Sequence, residues 1–193
     1  MNDAWVDEGL KGFVKTNDLK KKRPELKTLL CFGSNREGIY SKMSSDPAKR
    51  EKFVRSAWEM AKKWGFDGID LDWEYPDASN RADFVSLVKD LKEASGGKIV
   101  TAAVSPGIWR IDSAYDVQGL KDHIDFVNVM TYDIHGPWET TVRHHSGYAY
   151  TKRSLAHWHS KGMPKHKIVI GIGAYAQGWV AETCRRIGLG SFT

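Results

Sequence analysis

The segment FDGIDLDWEYP (66–76) constrains this chain more than any other. On a strand, successive side chains face opposite ways, so Asp70, Asp72 and Glu74 share one face while Ile69, Leu71 and Trp73 share the other. The apolar face is suited to lie under helices. The acidic face points into the sheet interior, where unpaired charge is costly. A solvated edge strand also accepts carboxylates, but it would not usually carry Ile, Leu and Trp on its back or have such apolar neighbours. Three carboxyl groups set roughly 7 Å apart along the backbone repel one another if all ionise. They must share protons, which raises some of their pKa values. That is the condition for a general acid at neutral pH, and Glu74, nearest the strand's C-terminal end, is the best placed. A straight strand cannot wrap a divalent ion, whose oxygen ligands are usually drawn from loops, so no metal is expected here.

Strand and helix signals alternate around this segment. LKTLLCFG (26–33), KIVTAAVSP (98–106), IDFVNVMTYD (124–133) and KIVIGIGAY (167–175) read as further strands. Asp46 and Pro47 form a helix start, Phe53, Val54, Ala57, Trp58, Ala61 and Trp64 follow at helical spacing, and Gly65 ends the helix. A second helix carries Phe84, Leu87, Val88 and Leu91 on one face, and shorter ones are read near 10–19, 115–122 and 151–161. Such alternation implies βαβ units and a parallel sheet. Five strands suit an open, doubly wound sheet, whereas a (β/α)8 barrel needs eight and typically about 250 residues. The acidic strand end favours the barrel, because barrel sites lie at the C-terminal ends of the strands.

Composition excludes several classes. The 193 residues suffice for one domain with a core, and 41% apolar with 27% charged residues is ordinary for a globular chain. The net charge of +5 has one dense basic run, Lys20-Lys21-Lys22-Arg23 before Pro24, read as a solvated helix end, with no nucleic-acid motif beside it. No apolar stretch spans a membrane, and the first residues lack the apolar core of a signal peptide. Cys31 and Cys184 are read as two free thiols. His157 and His159 fall on nearly opposite helix faces and His144 and His145 are adjacent in a loop, so the seven histidines offer no metal-ligand spacing. The eight tryptophans are numerous; core packing explains most of them, and sugar stacking is the alternative.

With these residues in view, DGIDLDWEYP resembles the DxxDxDxE signature of family-18 glycoside hydrolases, the chitinases and chitinase-like proteins, from Asp67 through Glu74. LKTLLCFGS (26–34) resembles that family's third strand and its Ser-x-Gly-Gly ending, with Cys31 for the Ser and Ser34 for the second Gly, a departure read as one of strand packing. TAAVSP (101–106) is similar to the fifth strand, VMTYDIHGPWE (129–139) to the sixth with its Met-x-Tyr-Asp motif, and KIVIGIGAYAQGW (167–179) to the seventh. In the last, Ala176 and Gln177 stand where Gly and Arg are common. The resemblance spans about residues 10–179; strands one, two and eight have no counterpart, and 180–193 match nothing.

The resemblance implies an incomplete α/β (β/α)8 barrel, strands three to seven, with residues 1–193 forming part of one catalytic domain. It implies retaining, substrate-assisted cleavage of β-1,4-linked N-acetylglucosamine polymers, chitin or its oligosaccharides, without cofactor. Glu74 is the implied acid, Asp72 orients the acetamido group, Asp70 shares a proton with Asp72, and Tyr132 bonds the acetamido oxygen. Met130, Asp133, Trp138 and Tyr75 are the implied substrate contacts. Met130 and Tyr132 share a strand parity and should both face inward; Trp109 suits stacking on sugar and packing equally. Family likeness implies an extracellular protein, acting on neither nucleic acid nor membrane. Alternatives are a lectin-like chitin binder and an inactive fragment.

Overall fold

The structure is a computed structural model that describes residue 7 and residues 9–36 and 38–178. Cys184 and the segment 180–193 lie outside the described residues. Helix α1 (Gly12–Asp18) precedes strand β1 (Leu29–Ser34). Helices α2 (Ile39–Ser44) and α3 (Pro47–Trp64) lead to β2 (Gly68–Trp73), and α4 (Arg81–Glu93) leads to β3 (Ile99–Val104). Helices α5 (Ile108–Ala114) and α6 (Val117–Leu120) lead to β4 (Phe126–Val129), and α7 (Tyr148–Ser160) to β5 (Ile168–Ile170).

The five strands lie side by side in chain order, all parallel. A doubly wound sheet reverses its order at a switch point; this one does not. Because β-α-β crossovers are right-handed, unbroken travel in one direction keeps the connecting helices on one face. Burial agrees. Leu30, Ile69, Leu71, Trp73, Val100, Ala102, Val104, Val127 and Val129 form one core cluster with Val54, Ala57 and Ala61 of α3 and Phe84, Leu87, Val88 and Leu91 of α4. The chain is a section of barrel wall, its helices outside and its acidic face on the concave side. Val127 is fully buried on the helix side, and Asn128, of the opposite parity, reaches Asp70 on the concave side.

Local sequence sets the element ends. The Asp46 carboxylate accepts from the amides of Ala48 (3.0 Å) and Lys49 (3.2 Å), Pro47 opens α3, and Gly65 closes it at φ 77°. β4 and β5 are shorter than the sequence pattern suggests. After Val129 the amides of Thr131 and Tyr132 bond back two residues, to Val129 and Met130 (2.8 and 2.7 Å), which ends the extended chain. The basic run is partly structural: the Lys20 ammonium sits 2.5 Å from Asp67 and 2.9 Å from the Gly65 carbonyl.

A run of ring contacts crosses the helix side of the sheet. Tyr40 stacks on Trp73 (5.3 Å), Trp73 meets Phe84 (6.0 Å), Phe84 meets Tyr115 (5.3 Å) and Tyr115 meets Trp158 (5.0 Å). Of the described tryptophans, Trp73 and Trp158 are buried, Trp58 and Trp64 are partly so, and Trp109 and Trp138 are exposed.

Candidate active site

β2 positions the carboxylates, and its neighbours decide their surroundings. The register sets Cys31 and Thr101 beside Asp70, and Gly33 and Ala103 beside Asp72. Asp70 is well held. Its Oδ1 accepts from the Thr101 hydroxyl and from Asn128 Nδ2 at 3.1 Å, and the Cys31 thiol is hydrogen-bonded to the same side chain. Burial, together with the neighbouring carboxylates, pushes the Cys31 thiol up, so it is a protonated donor and not a thiolate. Cys31 in place of a serine therefore touches the acidic cluster and is not merely a matter of strand packing.

Asp72 is the opposite case. Its Oδ1 is buried with no hydrogen-bond partner among the described residues. Burial, then Glu74 and then Asp70 push its pKa up to about 6. Gly33 is needed beside it: a Cβ there would fall 2.8 Å from Asp72 Oδ2.

Glu74 follows β2, its amide donating to the Ser34 carbonyl at 3.2 Å. The Tyr75 hydroxyl hydrogen-bonds Glu74, and burial with that carboxylate raises the phenol's pKa. Asp67, the first residue of the signature, plays a different part at the other end of the strand. Against the opposing effect of burial, Lys20 and the Thr28 amide (2.9 Å) hold its carboxyl below the usual range.

Tyr132 lies within electrostatic reach of Asp72, Glu74, Asp133 and Asp70, and burial first, then those charges, raises its pKa. Met130 is buried but is not part of the helix-side core cluster. Asp133 has φ 51°, and its side chain accepts from Gln177 Nε2 at 2.6 Å and bonds the Tyr175 hydroxyl. Its amide donates to His145 Nδ1 (3.3 Å), so the imidazole's Nε2 donates to the Tyr175 carbonyl (2.9 Å). Gln177, at the position where the pattern commonly has Arg, thus still reaches this aspartate. Trp138 stands exposed on the loop before α7 with its ring on Gly136, where a Cβ would clash with the ring carbons; in the same loop His135 Nδ1 and Glu139 Oε2 lie 3.0 Å apart. Its described contacts are with this loop and not with the carboxylates.

Sequence reasoning missed Thr101, Asn128 and Arg110. The first two carried a signal, a polar residue at the inward parity of an otherwise apolar strand. Arg110 carried none, because α5 is too short for a periodic pattern.

Carboxylates gathered at the C-terminal end of a barrel strand are the layout of a glycoside-hydrolase (β/α)8 domain. The family model described as Glycosyl hydrolases family 18 matches residues 1–186, and the chain belongs to that family. It is 39% identical to the probable endochitinase of Caenorhabditis elegans over 97% of this chain and 34% of that protein. It superposes on the Ostrinia furnacalis group IV chitinase in complex with allosamidin with a TM-score of 0.81 and 31% identity, covering 88% of this chain and 52% of that one. It is also similar to human YKL-39, described as a pseudo-chitinase with retained chitooligosaccharide binding properties (TM-score 0.75, 31% identity, 85% of this chain and 52% of that one). The chain spans about a third to a half of the length of these relatives.

Proposed function

We propose that the acidic concave face of this chain hydrolyses β-1,4-linked N-acetylglucosamine polymers with retention, by substrate assistance. The observation that carries the reading is the contrast between Asp70, whose Oδ1 accepts from Thr101 and Asn128, and Asp72, whose buried Oδ1 has no hydrogen-bond partner among the described residues. Such an oxygen suits an incoming N–H donor, and an acetamido group supplies one. Family 18 is a recognised exception to the two-carboxylate scheme, needing no protein nucleophile.

In this reading Glu74 donates its proton to the glycosidic oxygen and the leaving sugar departs as an alcohol. The acetamido carbonyl oxygen attacks the anomeric carbon and closes an oxazolinium ring. Asp72 accepts the acetamido N–H, relinquishing its own proton toward Asp70, and Tyr132 bonds the acetamido oxygen. Water then opens the ring from the vacated side, giving its proton to Glu74 and restoring the original anomer. Met130, Asp133, Trp138 and Tyr75 contact the sugar chain. The same reading places the protein outside the cell.

A second reading, oligosaccharide binding without turnover, is favoured by the likeness to the human pseudo-chitinase and disfavoured by the presence of Glu74. One experiment separates them: hydrolysis and binding of chitin oligosaccharides, measured for the chain and for a longer protein carrying it. Glu74→Gln should lower turnover by ~10²–10⁴ or more while binding persists, because an amide keeps the shape but donates no acidic proton. Binding without turnover in every form selects the second reading. Near-parent turnover in Glu74→Gln would remove Glu74 as the acid.

A further inference from the structure

Helix α5 presents Arg110 to the residues that follow Glu74. The guanidinium carbon lies 4.7 Å from the centroid of the Tyr75 ring and 4.4 Å from that of Trp109. Its Nη1 donates to the Pro76 carbonyl at 3.3 Å. Tyr75 in turn hydrogen-bonds the Glu74 side chain. Arg110 therefore touches both residues after Glu74 and leans on an exposed indole that has no role in the core.

The helix under it is fixed. Ile111 and Ala114 are fully buried, and the amides of Arg110 and Ile111 bond the Gly107 carbonyl at 2.9 and 2.8 Å. Arg81 donates to the Asp112 carbonyl (2.9 Å), while the Asp112 carboxylate meets His157 of α7 (2.9 Å) and Lys161 just after it (2.6 Å). The guanidinium is thus carried on a braced frame. A planar cation stacks on rings by its faces and donates by its edge, which an ammonium cannot do at once.

We infer that Arg110 is a positioning residue for the hydrolysis proposed above: through Tyr75 it holds the Glu74 carboxyl in the orientation that delivers a proton to the leaving oxygen. This inference rests on that reading. The charged and titratable groups that act on Tyr75 are Glu74 and Asp72 of the acidic segment and Arg110 itself.

A change of leaving group isolates the effect. A sugar leaving group needs the proton; a dinitrophenolate does not. Arg110→Ala should lower kcat on a chitin oligosaccharide by ~10-fold or more, since small misplacements of a catalytic group are costly. On the dinitrophenyl glycoside of the same sugar, kcat should fall by less than about threefold. KM should change little on either. Arg110→Lys should restore little of the loss, because the ammonium cannot keep both stacks and the Pro76 bond. Equal losses on the two substrates, an effect confined to KM, or no effect would overturn the inference. Should Arg110→Ala not fold, Trp109→Ala, which removes one side of the stack from a surface position, should show the same split at smaller size. Its absence there counts equally against the inference. Glu74→Gln run in parallel keeps the two ideas apart. Oligosaccharide turnover surviving in Glu74→Gln defeats the catalytic reading; a dead Glu74→Gln beside an unaffected Arg110→Ala defeats only the positioning role.

Discussion

Behind β2, Ile69, Leu71 and Trp73 are 0, 0 and 5% exposed; each is followed in sequence by an acid, Asp70, Asp72 and Glu74, half-buried on the concave side. The back face is closed and apolar, braced by rings from α2 and α4. The front face keeps three acids within repelling distance and, among the described residues, leaves one buried oxygen unpaired. Alternation in a single strand thus divides labour by parity: odd positions hold the wall together, even positions are available for chemistry. Substitutions on the two faces should fail in different assays.

The largest split should come at Glu74. Turnover should fall by ~10²–10⁴ in Glu74→Gln, while urea unfolding shows equal or slightly higher stability, because the crowded acidic face then has one ionisable carboxyl fewer. A large loss of stability there would break the division by parity. Next is Leu71→Ala on the back face, which should cost about 2–5 kcal/mol in the same unfolding assay, since it removes a fully buried side chain from a packed core. Activity per folded molecule should survive; selective loss of activity would show that the back face also tunes the chemistry.

Asp72 sharpens the contrast through pH. Its folded pKa is raised from 3.8 to about 6, so between those values the unfolded chain ionises first. Its contribution to stability is present below the lower value and is lost as pH rises through the upper one. Asp72→Asn should flatten that part of the decline, read as the melting temperature between about pH 3.5 and 7.5, while also costing rate. An unchanged slope would mean that the acidic face is more hydrated than its burial suggests. The smallest effect is expected for Tyr132→Phe, one hydrogen bond worth about 0.5–1.5 kcal/mol. It should appear as a several-fold loss of kcat with little change in stability.

Much of this was legible in sequence because it depends on period. The alternation in β2 gave the two faces, Phe84, Leu87, Val88 and Leu91 gave the buried side of α4, and Asp46, Pro47 and Gly65 gave both ends of α3. What was not legible depends on register between strands. That Cys31 stands beside Asp70, and that Thr101 and Asn128 bond it, follows only once three strands are aligned. The same holds for Arg110, on a two-turn helix that no periodicity marks, and for Asp67 and Lys20, an ion pair between elements more than forty residues apart.

The empty space at Gly33 has a consequence for the evolution of the chain. A Cβ at that position meets the Asp72 carboxylate at 2.8 Å and its Cβ at 3.3 Å. Positions 33 and 72 therefore do not vary independently. While 72 keeps an aspartate in this rotamer, a side chain at 33 displaces its carboxylate; once 72 shrinks to alanine or glycine, a side chain at 33 meets no such obstacle and can fill the gap. A lineage that takes that second step regains an Asp72 by single reversion only with its carboxylate turned from the present position, because that position is then occupied. Loss of the acid face is then ratcheted by its neighbour across the ladder.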